Sequence, residues 1–312
     1  MCSGFAEADA MNSSVFSAFS APTPLQLLRG RWQTRHAVFM KREEQRDPEL
    51  GGNKWCKLAG HLEAARQHGH DHLLSMGGAW SNHLHALALA GRRFGFATTG
   101  LVRGDGIMTP TLTDAMHAGM RIHFISREAY RDRHSAEGLS ALVAAYGPAW
   151  VIPEGGEGAH GRVGILRLAR EIEAQVSGSA IVAVPVGSGT TMAGLVQALH
   201  SRFQVWGFQA FHDVTLPARL QAMVSGKQSA GWRLFTTPAM RAHRQLPEVL
   251  RSYMASFEAE QDMALDPIYT VRMMFALEQS LAMTDIPDNS TILALHTGGL
   301  QGRRGHGLAL AA

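Results

Sequence analysis

Three groups of residues in this chain combine types and spacings that suit chemistry. Lys54 follows Gly51-Gly52-Asn53. An amine placed there and kept out of bulk water loses proton affinity and becomes a nucleophile, whereas one left in water is only a surface charge at a helix start. The run Gly187-Ser188-Gly189-Thr190-Thr191 lies between an apolar stretch and an amphipathic one. Its backbone N–H groups and hydroxyls suit a phosphate at the positive end of a helix, and its glycines equally suit a tight strand-to-helix connection. No Gly-Lys-Ser/Thr follows at the Walker spacing, and Gly194 comes too late for the dinucleotide fingerprint. The third group, Gly78-Ala79-Trp80-Ser81-Asn82-His83, brings a hydroxyl, an amide and an imidazole to a helix start, where Ser and Asn are also ordinary caps. His68, His70 and His72 share the composition of a metal cluster, but Gly69 and Asp71 separate them in what reads as a helix-to-strand loop. No metal is expected.

These residues need elements to position them. From Thr23 onward, short apolar runs bounded by Gly or Pro alternate with longer amphipathic stretches, the pattern of βα units around a mostly parallel sheet. Strands are predicted over 37–41, 73–76, 97–102, 121–125, 150–153, 180–186, 204–210 and 291–295. Helices are predicted over 58–67, 81–90, 110–118, 128–146, 163–175, 192–201, 247–260 and 270–283. Ligand-lining loops of such sheets lie at the carboxyl ends of strands, so the turns after Met76, Val186 and Leu295 are candidates for one cleft.

Composition removes several function classes. The chain has 312 residues, 46% hydrophobic and 18% charged, with 33 glycines, which is an ordinary globular α/β composition long enough for one large domain or two. A net charge of +3 from scattered residues gives no nucleic-acid stripe. Cys2 and Cys56 cannot build a disulfide framework and fit a reducing, cytoplasmic setting. No apolar run reaches membrane-spanning length, and residues 1–22 lack a signal-peptide pattern and read as a loosely ordered leader.

Taken in order, the motifs resemble those of the pyridoxal-phosphate family that contains D-cysteine desulfhydrase and 1-aminocyclopropane-1-carboxylate (ACC) deaminase. They are Thr23-Pro24-Leu25, Lys41-Arg42-Glu43, Gly51-Gly52-Asn53-Lys54 with Lys57-Leu58, Gly77 to His83, Pro153-Glu154-Gly155-Gly156, Gly187 to Thr191, Asp266 to Thr270 and His296-Thr297-Gly298-Gly299. The resemblance implies the tryptophan synthase β-like fold, fold type II, an α/β architecture of two domains each with a mostly parallel twisted sheet flanked by helices. It assigns 23–58 and 165–312 to a large pyridoxal-phosphate domain and 59–164 to a small one, with the cofactor between them, and it implies a homodimer. Lys54 would be the Schiff-base lysine, and Gly187, Ser188, Gly189, Thr190 and Thr191 would hold the phosphate. Asn82 would bond the cofactor's phenolic oxygen, while Ser81, Asn82 and His83 would face the substrate carboxylate. Tyr269 would be an acid–base partner over the reacting centre.

Within that family, the deaminase pattern reads Tyr-Glu and His-Leu-Gly-Gly where this chain has Tyr269-Thr270 and His296-Thr297-Gly298-Gly299, and it carries Gln at the position of His83. The desulfhydrase pattern has Thr at both positions. A carboxylate near the pyridine nitrogen favours its protonated form and a stronger electron sink, which opening a cyclopropane needs and loss of a thiolate from Cβ does not. The expected activity is therefore that of a lyase performing β-elimination on a small amino acid, D-cysteine first, to give pyruvate, ammonia and sulfide. The alternatives are ACC deamination and a cofactor-binding homologue with little turnover. The pattern departs at Cys56, at Val271-Arg272 and, above all, over 236–245, where a glycine-rich stretch with a Tyr is replaced by Pro238-Ala239-Met240-Arg241-Ala242-His243-Arg244. His243 falls about where that Tyr would lie and is expected to face the substrate.

Overall fold

The computed structural model describes residues 15, 21–32, 36–226, 229–236, 246–283, 286 and 290–310, the side chain of His134 excepted. In chain order its strands are β1 (Leu25–Leu27), β2 (Ala37–Lys41), β3 (His72–Gly78), β4 (Ala97–Arg103), β5 (Arg121–Ile125), β6 (Trp150–Val151), β7 (Ala180–Val186), β8 (Phe203–Gln209), β9 (Gly231–Phe235) and β10 (Thr291–Leu295). The α-helices are α1 (Asn53–Gln67), α2 (Asn82–Phe94), α3 (Pro110–His117), α4 (Arg127–Arg131), α5 (Ala136–Ala144), α6 (Ala159–Gln175), α7 (Thr190–Ala198), α8 (Leu216–Val224), α9 (Glu248–Gln261) and α10 (Thr270–Met283). The chain divides into two compact units, one built on Lys54–Gly164 and the other on Pro22–Asn53 with Ile165–Ala312. Among the described residues no helix is long and apolar enough to cross a membrane.

The larger unit carries a six-stranded sheet in the order β1-β2-β10-β7-β8-β9. Only β1 runs antiparallel to its neighbour; the other pairs are parallel. All seven residues of β7 are buried, as a central parallel strand covered on both faces requires. Around the sheet, Met40, Trp206, Phe208, Phe257, Met274, Leu277 and Ile292 belong to one apolar cluster. Each such side chain contributes roughly 1.5–3 kcal/mol when fully buried.

The motif residues Thr23 and Lys41 to Glu43 prove structural. Thr23 Oγ1 donates to Glu43 Oε1 at 2.5 Å and Lys41 Nζ to the Thr23 carbonyl at 2.8 Å. Lys41 pairs with Glu171, and Arg46 Nη2 bridges Glu43 at 2.9 Å and Glu171 at 2.7 Å. Lys41 and Glu43 are fully buried, so this network ties the start of β1 to β2 and α6 through desolvated charges.

The smaller unit has a four-stranded, fully parallel sheet in the order β5-β4-β3-β6. Side chains end its helices as the sequence suggests. Ser81, Thr109, Ser126 and Ser135 each accept an N–H from the residue three positions on, and Gly95 closes α2 in the left-handed region.

The sequence-predicted elements differ at identifiable points. The helix predicted over 128–146 is broken at Ser135, which caps α5 by accepting Gly138 N at 3.0 Å. The helix predicted to start near Leu58 starts at Asn53, so Lys54 belongs to its first turn rather than preceding it. Strands β1 and β9 and helix α8 were not predicted, being three, five and nine residues long with little periodicity.

Candidate active site

In the larger unit, β7 delivers the chain into Gly187-Ser188-Gly189, and α7 begins at Thr190. Gly189 occupies the N-cap with φ +96° and makes no side-chain cap, which leaves the first-turn N–H groups for another acceptor. A Cβ there would lie 2.9 Å from Leu220 Cδ2, so conformation and packing both require glycine. Ser188 and Thr190 hydroxyls are 3.1 Å apart, and Thr190 and Thr191 are buried. The loop therefore presents hydroxyls and amide dipoles with no titratable side chain.

Residues 51–53 strap this loop to another. Asn53 Nδ2 donates to Thr191 Oγ1 at 3.1 Å, and its backbone N–H donates to the Thr297 carbonyl at 3.3 Å. Gly52, at φ +97°, sits so close to Thr297 that a Cβ would lie 2.4 Å from the Thr297 oxygen. Lys54 is the next residue. The glycines before it thus hold backbone against backbone on the Thr297 side, while Asn53 reaches the Thr191 side.

The segment before α10 completes this half. Asp266 Oδ1 accepts from Ile268 N at 3.0 Å and Tyr269 N at 2.8 Å, and Oδ2 from Thr270 N at 2.6 Å, a buried carboxylate capping the helix. The Tyr269 ring stands edge-on to Phe211 at 5.7 Å and lies over Gly187, whose added Cβ would be 3.1 Å from Tyr269 Cε1. Thr270 is fully buried and its Oγ1 has no hydrogen-bond partner among the described residues.

The smaller unit holds amines and imidazoles. Lys57 follows Lys54 by one turn of α1 and is buried without an ion pair among the described residues, its pKa lowered to about 7 by burial and then by the charge of Lys54. His61, a further turn on, is pushed down to about 4, chiefly by burial, and donates Nε2–H to the Glu157 carbonyl at 3.0 Å. His83 is held well below the usual imidazole range by burial, then by Lys54, Lys57 and His61. The turn Pro153-Glu154-Gly155-Gly156 packs on this group: a Cβ on Gly156 would lie 2.9 Å from Lys57 Cβ and 3.8 Å from His83 Cε1. Glu154 anchors the turn by accepting Tyr130 Oη–H at 2.5 Å and Arg133 Nε–H at 2.9 Å.

Ser81 is the N-cap of α2, accepting Leu84 N at 3.2 Å, and Asn82 is the first residue of that helix. The cap uses a lone pair of Ser81 and leaves its hydroxyl proton for an acceptor. His68 Nδ1 turns to the Ala64 carbonyl at 2.8 Å and His72 Nε2 to Thr99 Oγ1 at 2.9 Å. Among the described residues no three His, Cys, Asp or Glu side chains converge as metal ligands.

Sequence-predicted residues thus gather in two sets: Gly187 to Thr191, Tyr269, Thr270 and Thr297 in the larger unit, and Lys54, Ser81, Asn82 and His83 in the smaller. His243 lies outside the described residues. Reading the sequence overlooked Asn53, Asp266, Ser75 and Lys57 as site residues. Asn53 and Lys57 flank Lys54 and were quoted only as motif letters; the spacing Lys54, Lys57, His61 on one helix face was the available signal.

Residues 17–298 match the family described as pyridoxal-phosphate dependent enzyme. A Pyrococcus abyssi (strain GE5 / Orsay) protein provisionally named 1-aminocyclopropane-1-carboxylate deaminase is 26% identical over 299 residues, 90% of each chain. The crystal structure of an ACC deaminase homologue superposes with a TM-score of 0.80 at 22% identity, over 94% of this chain and 97% of that one. A hydrogen sulfide-producing enzyme from Fusobacterium nucleatum gives 0.69 at 13% identity, over 93% and 99%. The residues present fit the family's cofactor: an uncapped helix start with three hydroxyls suits a phosphate, and the buried Thr270 hydroxyl lacks a protein partner. With its two mostly parallel α/β sheets of fold type II, this chain belongs to the pyridoxal-phosphate-dependent enzymes.

Proposed function

We propose that this enzyme is a lyase that removes the β-substituent of a small amino acid, with D-cysteine as the leading substrate and pyruvate, ammonia and sulfide as products. The observation that carries the reading is Thr270, a fully buried hydroxyl without a partner where a carboxylate would be needed to keep a pyridine nitrogen protonated. A neutral partner there suits loss of a good leaving group from Cβ. When bound, pyridoxal phosphate supplies an aldehyde for an amine and a ring that withdraws electrons from the substrate's Cα.

The chain's own residues divide the remaining work. Gly187 to Thr191 bind the phosphate through N–H groups and hydroxyls, and Thr297 and Asn53 brace that loop from the Lys54 side. Lys54 would hold the cofactor, and its Nζ, as a free amine, would take the proton from Cα. Asn82 would bond the cofactor's phenolic oxygen, and Ser81 would offer its hydroxyl proton to the substrate carboxylate. Tyr269, held over Gly187, exchanges a proton with the departing group. Lys57, buried and without an ion pair, suits an anionic portion of the bound molecules. In this reading the working unit is a cytoplasmic homodimer.

ACC deamination is the second reading, favoured by the name of the Pyrococcus abyssi relative. A homologue with little turnover is the third, prompted by the loss of glycines over 236–245. Purified protein incubated with D-cysteine, L-cysteine, β-chloroalanine and ACC separates them by keto-acid release. We expect keto acid and sulfide from D-cysteine and little product from ACC. Product from ACC alone overturns the lyase reading, and no product from any of the four favours the third.

A further inference from the structure

His83 is buried among bases, and its hydrogen bonding fixes where its proton resides. Ser75 Oγ lies 2.7 Å from the Ile152 carbonyl and 2.8 Å from His83 Nε2. A carbonyl can only accept, so the single hydroxyl proton of Ser75 goes to Ile152. The remaining contact then requires Nε2–H to donate to Ser75 Oγ. Nδ1 is left as a lone pair, and it is a buried atom with no hydrogen-bond partner among the described residues. Burial and the neighbouring Lys54 and Lys57 oppose a second proton on the ring. Beside Cε1, the carbon between the two nitrogens, Gly156 contributes no side chain.

We propose that Ser75 is a positioning residue that holds His83 as its Nε2–H tautomer, so that Nδ1 serves as a fixed acceptor for a proton-bearing β-substituent of the substrate, a hydroxyl or a thiol. The substrate class rests on the lyase reading; the tautomer does not. A carboxylate offers Nδ1 only lone pairs, so this assignment moves His83 from the substrate's carboxylate to its side chain. An unpartnered buried acceptor is a standing penalty in the empty protein, and a donor brought by the substrate relieves it. An amino acid lacking that donor relieves nothing, which makes the pair a discriminator as well as an anchor.

The test uses the full chain with cofactor bound, labelled with 15N at histidine, the His83 signals being those lost in His83→Gln. In the wild type we expect Nε2 to resonate as a protonated nitrogen and Nδ1 as a lone-pair nitrogen. D-serine and D-alanine, which differ only by the hydroxyl, are then titrated. D-serine should move the Nδ1 signal and bind on the order of tenfold more tightly than D-alanine, as expected for one recovered buried hydrogen bond. In Ser75→Ala the two tautomers should mix and that ratio should fall toward one. A wild-type Nδ1–H tautomer overturns the proposal, as does equal binding of D-serine and D-alanine or a ratio that survives Ser75→Ala. If no amino acid is turned over, the lyase reading fails while the nitrogen signals and the binding ratio still decide this one.

Discussion

The loop 187–191 in the larger unit and the group Lys54, Lys57, His61 and His83 in the smaller one are built on opposite physics. The loop works with dipoles: three hydroxyls and the N–H groups of an uncapped helix, set by a glycine in the left-handed region. No side chain in it titrates, so the field that it presents does not change with pH. The smaller unit holds bases stripped of water: burial and then Lys54 lower Lys57, and burial and then Lys54, Lys57 and His61 lower His83. Lys57, its pKa lowered to about 7, exchanges its proton near neutrality, while His61 and His83 are held neutral there and offer lone pairs. In the proposed function the dipoles of the loop would hold the phosphate and the bases would handle protons.

The sharpest way to break the comparison is to remove the base and keep the cradle. In Lys54→Ala, covalent attachment should vanish, with no borohydride-fixed label, and activity should fall by three orders of magnitude or more, on the order expected when a nucleophile is lost. Far-ultraviolet circular dichroism and the urea midpoint should stay close to wild type, because Lys54 stands at a helix start rather than in the core. Pyridoxal phosphate should still bind, non-covalently, to the intact loop. Loss of all binding would place the grip in Lys54 instead of in the dipoles.

The reverse experiment damages the cradle. Gly189→Val puts a β-branched residue at φ +96° with its Cβ 2.9 Å from Leu220, and should cost about 1–3 kcal/mol of stability together with tenfold or more in cofactor affinity. Equilibrium dialysis and urea unfolding read the two separately. The bases of the smaller unit should be untouched, so reactivity of the remaining bound fraction should match wild type.

Much of this was legible in the sequence, and for a physical reason. Strands β2, β5, β7 and β10 and helix α10 occupy the residues predicted for them, because continuous apolar runs and a clean 3.6-residue period leave little choice. The glycine loop was legible as a strand-to-helix turn with hydroxyls. What stayed hidden depends on contacts distant in sequence. Asn53 and Thr191 are 138 residues apart, and Lys57 reads as an ordinary surface lysine until Gly156 is packed on its Cβ. Ser75 looks like one polar residue in an apolar strand; only its bonds to Ile152 and His83 show that its single proton sets the tautomer of another residue. The break at Ser135 was missed because a cap and a mid-helix serine look alike until the backbone turns.

The smallest expected effect sharpens the comparison by pH. Lys57 in the folded protein has a pKa lowered to about 7, against an ordinary lysine value of 10.5. Between those values the unfolded chain carries a proton on Lys57 that the folded chain does not, so folding stability rises with pH across this window and is lost as pH falls toward 7. The slope from this one group should be on the order of 1 kcal/mol per pH unit at most, since one pKa unit is worth about 1.4 kcal/mol. His61, pushed down to about 4 from 6.5, adds a slope of the same sign between those two values. Replacing Lys57 with Met keeps the length and apolar stem and removes the proton, so urea midpoints of Lys57→Met should lose the upper slope and keep the lower one. Because the loop 187–191 holds no titratable side chain, Gly189→Val should lower the whole stability curve without changing either slope. A Lys57→Met protein that still gains stability from pH 7 to 10 would mean that the bases of the smaller unit are not what titrates, and the contrast between the two regions would fall with it.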